Sequence, residues 1–215
     1  REQEAMLNND LVGMARVRGR TAVWKNRALE HIFGYERGEL DQHQTRQLYL
    51  DDTSYAMVGD GYDQISHRGR FRTQLKMRRK DGSEIWIDLS GAPVSEEESL
   101  WMLVDITALK DGEERLKHMA LHDPLTQLPN RTLFAEKASL MMSHDKRGGA
   151  RTAVCFLDLD GFKPVNDCYG HEVGDQLLKA IAGRLQQCMR EGDVVARFGG
   201  DEFALALGGL NDIGE

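Results

Sequence analysis

Apolar and polar positions alternate in short runs through the first half of the chain. Val12–Val17 reads as a strand, and Gly19–Asn26 adds a turn and a second strand. Short helical pieces are expected through Ala28–Tyr35. Three more strand-like runs follow: Phe71–Arg79, Ile85–Leu89 after an Asp81-Gly82 turn, and Leu100–Val104. Within the middle run Ile85, Ile87 and Leu89 share one face while Trp86 and Asp88 share the other, so the apolar face should line a core.

The pattern changes in the second half. Ala153–Leu157 is a continuous apolar run, which predicts a buried central strand. A loop is expected over Pro164–Asp175. Leu177, Leu178, Ile181, Ala182, Leu185 and Met189 then recur at helical spacing, most simply as core packing. Two apolar strands close the pattern, Val194–Phe198 and Phe203–Leu207, joined by Gly199-Gly200-Asp201-Glu202. Between the halves, Asp111-Gly112-Glu113-Glu114 carries an acid at a possible N-cap and a Glu three residues later, the arrangement of a capping box. Leu109, Leu116 and Met119 give the segment an apolar stripe. That stripe suits either a short dimeric signalling helix or a plain interdomain helix packed on its own domain, and Gly112 would weaken it by about 1 kcal/mol relative to Ala.

Candidate chemistry concentrates in the second half. Gly199 and Gly200 strip side chains from a hairpin tip, so a bulky ligand can approach the backbone. Asp201 and Glu202 are adjacent carboxylates, whose mutual repulsion a cation or proton would offset. Asp158 ends the Ala153–Leu157 run, and carboxylates at the end of a buried strand need partners. Magnesium takes oxygen ligands and completes its shell with water and phosphate, so Asp158 and Asp201 on neighbouring strands form a plausible pair of metal arms. The alternative is a solvated turn. Asn166 donates and accepts whereas Asp175 only accepts, a combination that matches the edge of a guanine.

Three ordered segments, Asp123-Pro124-Leu125-Thr126-Gln127-Leu128-Pro129-Asn130-Arg131, LDLDGFKPVNDCYGHEVGD and RFGGDEF, resemble a GGDEF domain. The resemblance implies a diguanylate cyclase, which condenses two GTP into cyclic di-GMP with release of pyrophosphate on a nucleotide-cyclase-like palm fold. It implies that Asp158 and Asp201 bind Mg²⁺ or Mn²⁺, with the Leu159 carbonyl assisting and Glu202 near the metals and the attacking 3′-hydroxyl. Asn166 and Asp175 would hold guanine. Backbone amides around Phe162 and Lys163 would contact phosphate beside Gly199 and Gly200. Two domains, each holding one GTP, would meet face to face as a homodimer. Arg190 and Asp193 stand in the Arg-x-x-Asp pattern of the family's product-inhibition site; the alternative is a helix-end Arg followed by a turn Asp. Gln127 departs from the family, which usually has Gly there. The resemblance covers Asp123–Glu215, the first half or so of such a domain, so the chain by itself is expected to turn over little or no GTP. Residues absent after Glu215 ordinarily supply basic groups for the β- and γ-phosphates, and Arg1 in place of Met suggests trimming at the start.

The first half resembles a PAS sensor domain over Asn8–Thr107. The order of strands, small helices and long hairpin strands carries that resemblance, with Asn26, Gly34-Tyr35, Asp51-Asp52, Lys80-Asp81-Gly82, Trp86 and Asp105-Ile106-Thr107. Its ligand stays unassigned: His31, His43 and His67 are conceivable haem ligands, though a lone His is more often a surface or packed residue. The fold class expected is therefore α+β. A PAS-like antiparallel sheet over 1–107 leads through a linker helix at 108–122 into the first part of a GGDEF palm at 123–215.

Composition adds exclusions. The 215 residues carry 40% hydrophobic content, enough for two small cores, with no apolar run that could cross a bilayer. A net charge of −7 argues against a nucleic-acid partner. Cys155, Cys168 and Cys188 are odd in number and lack metal-like spacing, which suits a reducing, cytoplasmic compartment; segments upstream could still attach the protein to a membrane. The function expected is a sensor-regulated diguanylate cyclase. A non-catalytic module binding GTP or cyclic di-GMP, or a bifunctional protein with a downstream phosphodiesterase domain, are the alternatives.

Overall fold

The computed structural model describes residues 10–41 and 43–211. It divides into two compact units, Arg1–Glu113 and Glu114–Glu215, and the division falls inside a helix. Among the described residues no helix is long and apolar enough to cross a membrane.

The first unit is an antiparallel sheet in the order β2-β1-β5-β4-β3. Its strands are β1 (Val12–Arg18), β2 (Thr21–Lys25), β3 (Phe71–Arg78), β4 (Glu84–Pro93) and β5 (Glu98–Asp105). The alternation along β4 is realised: Ile85, Ile87 and Leu89 are buried, and on the opposite face Asp88 accepts from the Arg72 guanidinium at 2.9 Å. The hairpin from β3 to β4 turns where Asp81 accepts from the Ser83 amide at 2.9 Å and Gly82 takes φ 87°, a left-handed angle that costs glycine nothing.

Helix α1 (Arg27–Phe33) starts at Asn26, whose side chain does three jobs. Its oxygen accepts from Leu29 N at 3.2 Å and Met14 N at 2.8 Å, and its amide donates to the Val12 carbonyl at 2.8 Å. One residue thus caps α1 and ties it to β1. Helix α2 (Asp52–Arg68) completes the unit, and Phe33, Val58, Met77, Ile85 and Ile87 lie at the centre of its core. His31 and His43 are exposed, and the His67 side chain lies outside the described residues.

Helix α3 (Thr107–Leu121) begins four residues before the expected capping box. Asp105 accepts from Thr107 N at 2.9 Å, so the start signal is the acid that ends β5, and Asp111 lies within the helix. Gly112 is tolerated in its interior. Leu109, Leu116 and Met119 are exposed.

The second unit is a three-stranded antiparallel sheet ordered β6-β8-β7, with β6 (Arg151–Leu157), β7 (Val194–Gly199) and β8 (Glu202–Leu210). Here the structure corrects the expectation for Ala153–Leu157. That run does form a strand, but β6 is an edge of the described sheet and Phe156 is 71% exposed. The central place belongs to β8, which is covered on both faces. Phe203 and Leu205 pack with Leu178 and Ala182 of helix α6 (His171–Cys188). Ala204 and Ala206 pack with Phe134 and Ala138 of helix α4 (Arg131–Gly148). The core role expected for the 177–189 stripe is therefore realised at Leu178, Ala182, Ile181, Leu185 and Met189, whereas Leu177 is exposed.

The expected loop over Pro164–Asp175 is mostly helical. Helix α5 (Phe162–Tyr169) and the start of α6 occupy it, with only Gly170 between them. Pro164 does not forbid this, because it sits in the first turn of α5, where an amide has no helical partner in any case.

Candidate functional site

The register of the sheet brings the acidic segments together. Leu157 pairs with Phe203 across β6 and β8, so Asp158, just past the end of β6, comes beside Glu202 at the start of β8. Asp158 and Glu202 line one pocket with Arg131, Phe156, Leu157, Phe198 and Phe203. Asp201 stands in the turn next to that pocket rather than in its lining. Phe198 forms the apolar floor, edge-on to Phe134 at 5.4 Å and to Phe156 at 5.8 Å between ring centroids, with the Arg131 guanidinium 4.9 Å over its ring.

The turn is held from beneath. Gly199 and Gly200 take φ 138° and 52°, and the buried Arg197 donates to the Gly200 carbonyl from Nε at 3.0 Å and from Nη2 at 2.6 Å. Its Nη1 donates to Asp123 at 2.9 Å. Asp123 also accepts from the Thr126 amide at 2.8 Å and hydroxyl at 2.6 Å. Burial pushes the Asp123 carboxyl up, but the hydrogen bonds from Thr126 and the Arg197 guanidinium outweigh it and hold the group below the usual carboxylate range. A ring of contacts thus joins the turn after α3 to the glycine tip. Sequence reasoning missed Arg197 and Arg131, although each lies inside a quoted motif; Arg197 alone carried a signal, a charge two residues before an acidic, glycine-rich turn.

The residue types suit a hard divalent cation. Asp158 and Glu202 line one pocket and Asp201 precedes Glu202 in the turn, and Mg²⁺ needs only one or two carboxylates when phosphate and water complete its shell. Among the described residues no cluster of three or more His, Cys, Asp or Glu side chains is close enough to hold an ion by protein ligands alone. The Leu159 carbonyl accepts from Phe162 N at 3.2 Å, which leaves one lone pair. That bond occupies the Phe162 amide, so Lys163 is the better placed of the two amides at the start of α5.

Asn166, on α5, lies against Gly174 of α6, the residue before Asp175. The two proposed guanine readers therefore flank one helix–helix contact, Asn166 half-buried and Asp175 exposed. Arg190 and Asp193 lie elsewhere. The Asp193 carboxylate accepts from Arg190 N at 3.0 Å and from Gly208 N at 3.3 Å, and it lines a separate cleft with Lys137, His144 and Asp145.

Two family models match the chain, "PAS domain" over residues 11–123 and "Diguanylate cyclase, GGDEF domain" over residues 120–214. The bifunctional diguanylate cyclase/cyclic di-GMP phosphodiesterase MucR of Pseudomonas aeruginosa is 46% identical over 101 residues, which are 47% of this chain and 15% of that protein. Diguanylate cyclase DgcM of Escherichia coli K12 is 32% identical over 187 residues, 85% of this chain and 45% of that protein. The chain thus spans less than half the length of either curated relative. A solved structure of the GGDEF domain alone of TpbB from Pseudomonas aeruginosa is 45% identical, covers 42% of this chain and 53% of that one, and superposes with a TM-score of 0.41. The chain belongs to the PAS domain family over its first half and continues from residue 120 as a GGDEF domain.

Proposed function

We propose that the protein carrying this chain is a sensor-regulated diguanylate cyclase. The observation that carries the reading is the single pocket lined by Asp158 and Glu202 beside the Gly199-Gly200 turn, in a chain with a GGDEF family match. In the reaction, the 3′-oxygen of one GTP forms a bond to the α-phosphorus of a second. The bond to pyrophosphate breaks, and repetition in the other direction closes the ring. Asp158, Asp201 and Glu202 would hold divalent metal, Mg²⁺ or Mn²⁺, which when bound offsets charge at the α-phosphate. Glu202 is also suited to take the proton from the 3′-hydroxyl, because it lines the same pocket as Asp158. Lys163 at the start of α5 would meet phosphate through its amide. Asn166 and Asp175 would read the guanine. Because each domain would hold one GTP, two copies must meet, so dimerisation would be part of catalysis.

The test uses the full-length protein with GTP and Mg²⁺, separating products by chromatography. Asp201→Ala should abolish cyclic di-GMP formation with the fold retained; turnover like that of the wild type would overturn the assignment. A second reading, a bifunctional parent, is favoured by the name that MucR carries. Loss of added cyclic di-GMP in the same assay would support it.

A further inference from the structure

We propose that Gly174 is a specificity-determining position, whose missing side chain is the seat of the Asn166 amide. The inference rests on the guanine-reading role proposed for Asn166. A Cβ built on Gly174 would lie 1.9 Å from Asn166 Oδ1, 3.0 Å from its Cγ and 3.3 Å from Phe162 Cζ. Ordinary C···O contacts fall at about 3.3–3.6 Å, so the oxygen would have to move by more than about 1 Å.

Nothing in the backbone calls for glycine here. Gly174 is a helical residue of α6, and glycine in a helix interior costs about 1 kcal/mol relative to alanine. Local propensity thus favours alanine, and the contact with Asn166 is what opposes it. The Asn166 side chain makes no hydrogen bond to another described residue, so packing alone holds it in place. Packing of this kind is easily reset. The clashing atoms are the far end of a half-buried side chain, which can swing away while α5 and α6 stay together. Alanine at 174 should therefore spare the fold and displace the reader. A displacement of that size takes a hydrogen bond beyond its working range, about 2.7–3.2 Å for nitrogen to oxygen.

The experiment titrates the full-length protein calorimetrically with the α,β-methylene analogues of GTP and ATP, which cannot be condensed. Wild type, Asn166→Ala, Gly174→Ala and the double variant are compared by their ratio of GTP-analogue to ATP-analogue affinity. Each single variant should lower that ratio about tenfold, and the double variant no further, because both changes remove the same contact. If Asn166→Ala leaves the ratio unchanged, the guanine-reading role falls and takes this proposal with it. If Asn166→Ala lowers the ratio but Gly174→Ala does not, or weakens both analogues equally, the role of Gly174 alone is overturned. Should Gly174→Ala fail to fold, Asn166 has not swung away, and the specificity role of Gly174 is overturned whether or not the double variant folds.

Discussion

Arg197 and Asp123, 74 positions apart in the chain, form an ion pair at 2.9 Å in which both side chains are nearly buried, 9% and 12% exposed. The same guanidinium fixes the carbonyl of Gly200. Removing it strands a carboxylate and a carbonyl together, and breaking one half of a buried pair costs about 3–5 kcal/mol. Arg197→Met should therefore lower stability by about 3 kcal/mol, read from denaturant midpoints of the full-length protein. Arg197→Lys should recover only part of this, since an ammonium cannot bridge both acceptors in the plane of a guanidinium.

The same pair makes stability depend on acid in one direction. Because the folded state holds the Asp123 carboxyl below its ordinary range, its contribution is present above the unfolded value of about 3.9 and is lost as pH falls through the lower folded value. Denaturation of wild type and Asp123→Asn should differ most near neutrality and converge in strong acid. A gap that stays constant from pH 7 to pH 3 would remove Asp123 from the account.

Gln127 carries a left-handed backbone, φ 61°, between Asp123 and α4. Its amide donates to the Asp123 carbonyl at 2.9 Å and its side chain to the Pro124 carbonyl at 2.8 Å. A side chain in that region costs about 1 kcal/mol or more, only partly offset by the exposed hydrogen bond. Gln127→Gly should stabilise the protein by about 0.5–1 kcal/mol and raise the melting temperature, measured calorimetrically.

Arg190 and Asp193 separate under mutation. Asp193 accepts two backbone N–H groups, so Asp193→Ala should cost about 1 kcal/mol whether or not any ligand binds there. Arg190→Ala carries no such burden and is the cleaner probe of product inhibition. In progress curves with added cyclic di-GMP it should relieve slowing while leaving initial velocity nearly unchanged. Equal slowing of variant and wild type would reduce Arg190 to a helix-end charge.

Local signals were legible where neighbours in sequence decide the outcome. The faces of Ile85–Leu89, the Asp81-Gly82 turn and the hairpin at Gly199-Gly200 all belong to that class. Sheet order does not. Ala153–Leu157 and the β8 run are equally apolar, and only pairing across the sheet puts β8 in the middle and β6 at an edge. The stretch 164–175 read as a loop because Pro164, Asn166, Asp167, Gly170 and Gly174 punctuate it, yet Pro164 sits where a helix tolerates proline. In the same way α3 starts from Asp105, an acid that looks like the end of a strand. The site followed this division: Asp201 and Glu202 announce themselves as acids beside glycines and Asp158 as an acid ending an apolar run, whereas the pairing of Arg197 with Asp123 and the contact of Gly174 with Asn166 exist only through a residue distant in the chain or on another helix.

The two faces of the second sheet carry opposite vulnerabilities to sequence change. Against α4 the strands present Ala196, Ala204 and Ala206, all fully buried. Alanine can hardly be shortened, so this side is damaged mainly by enlargement, which forces strain into a close approach. Against α6 they present Phe203 and Leu205 to Leu178, a side damaged mainly by truncation and the voids it leaves. Drift in this domain is therefore bounded from above on one layer and from below on the other, and a volume-neutral exchange across the sheet cannot rescue either.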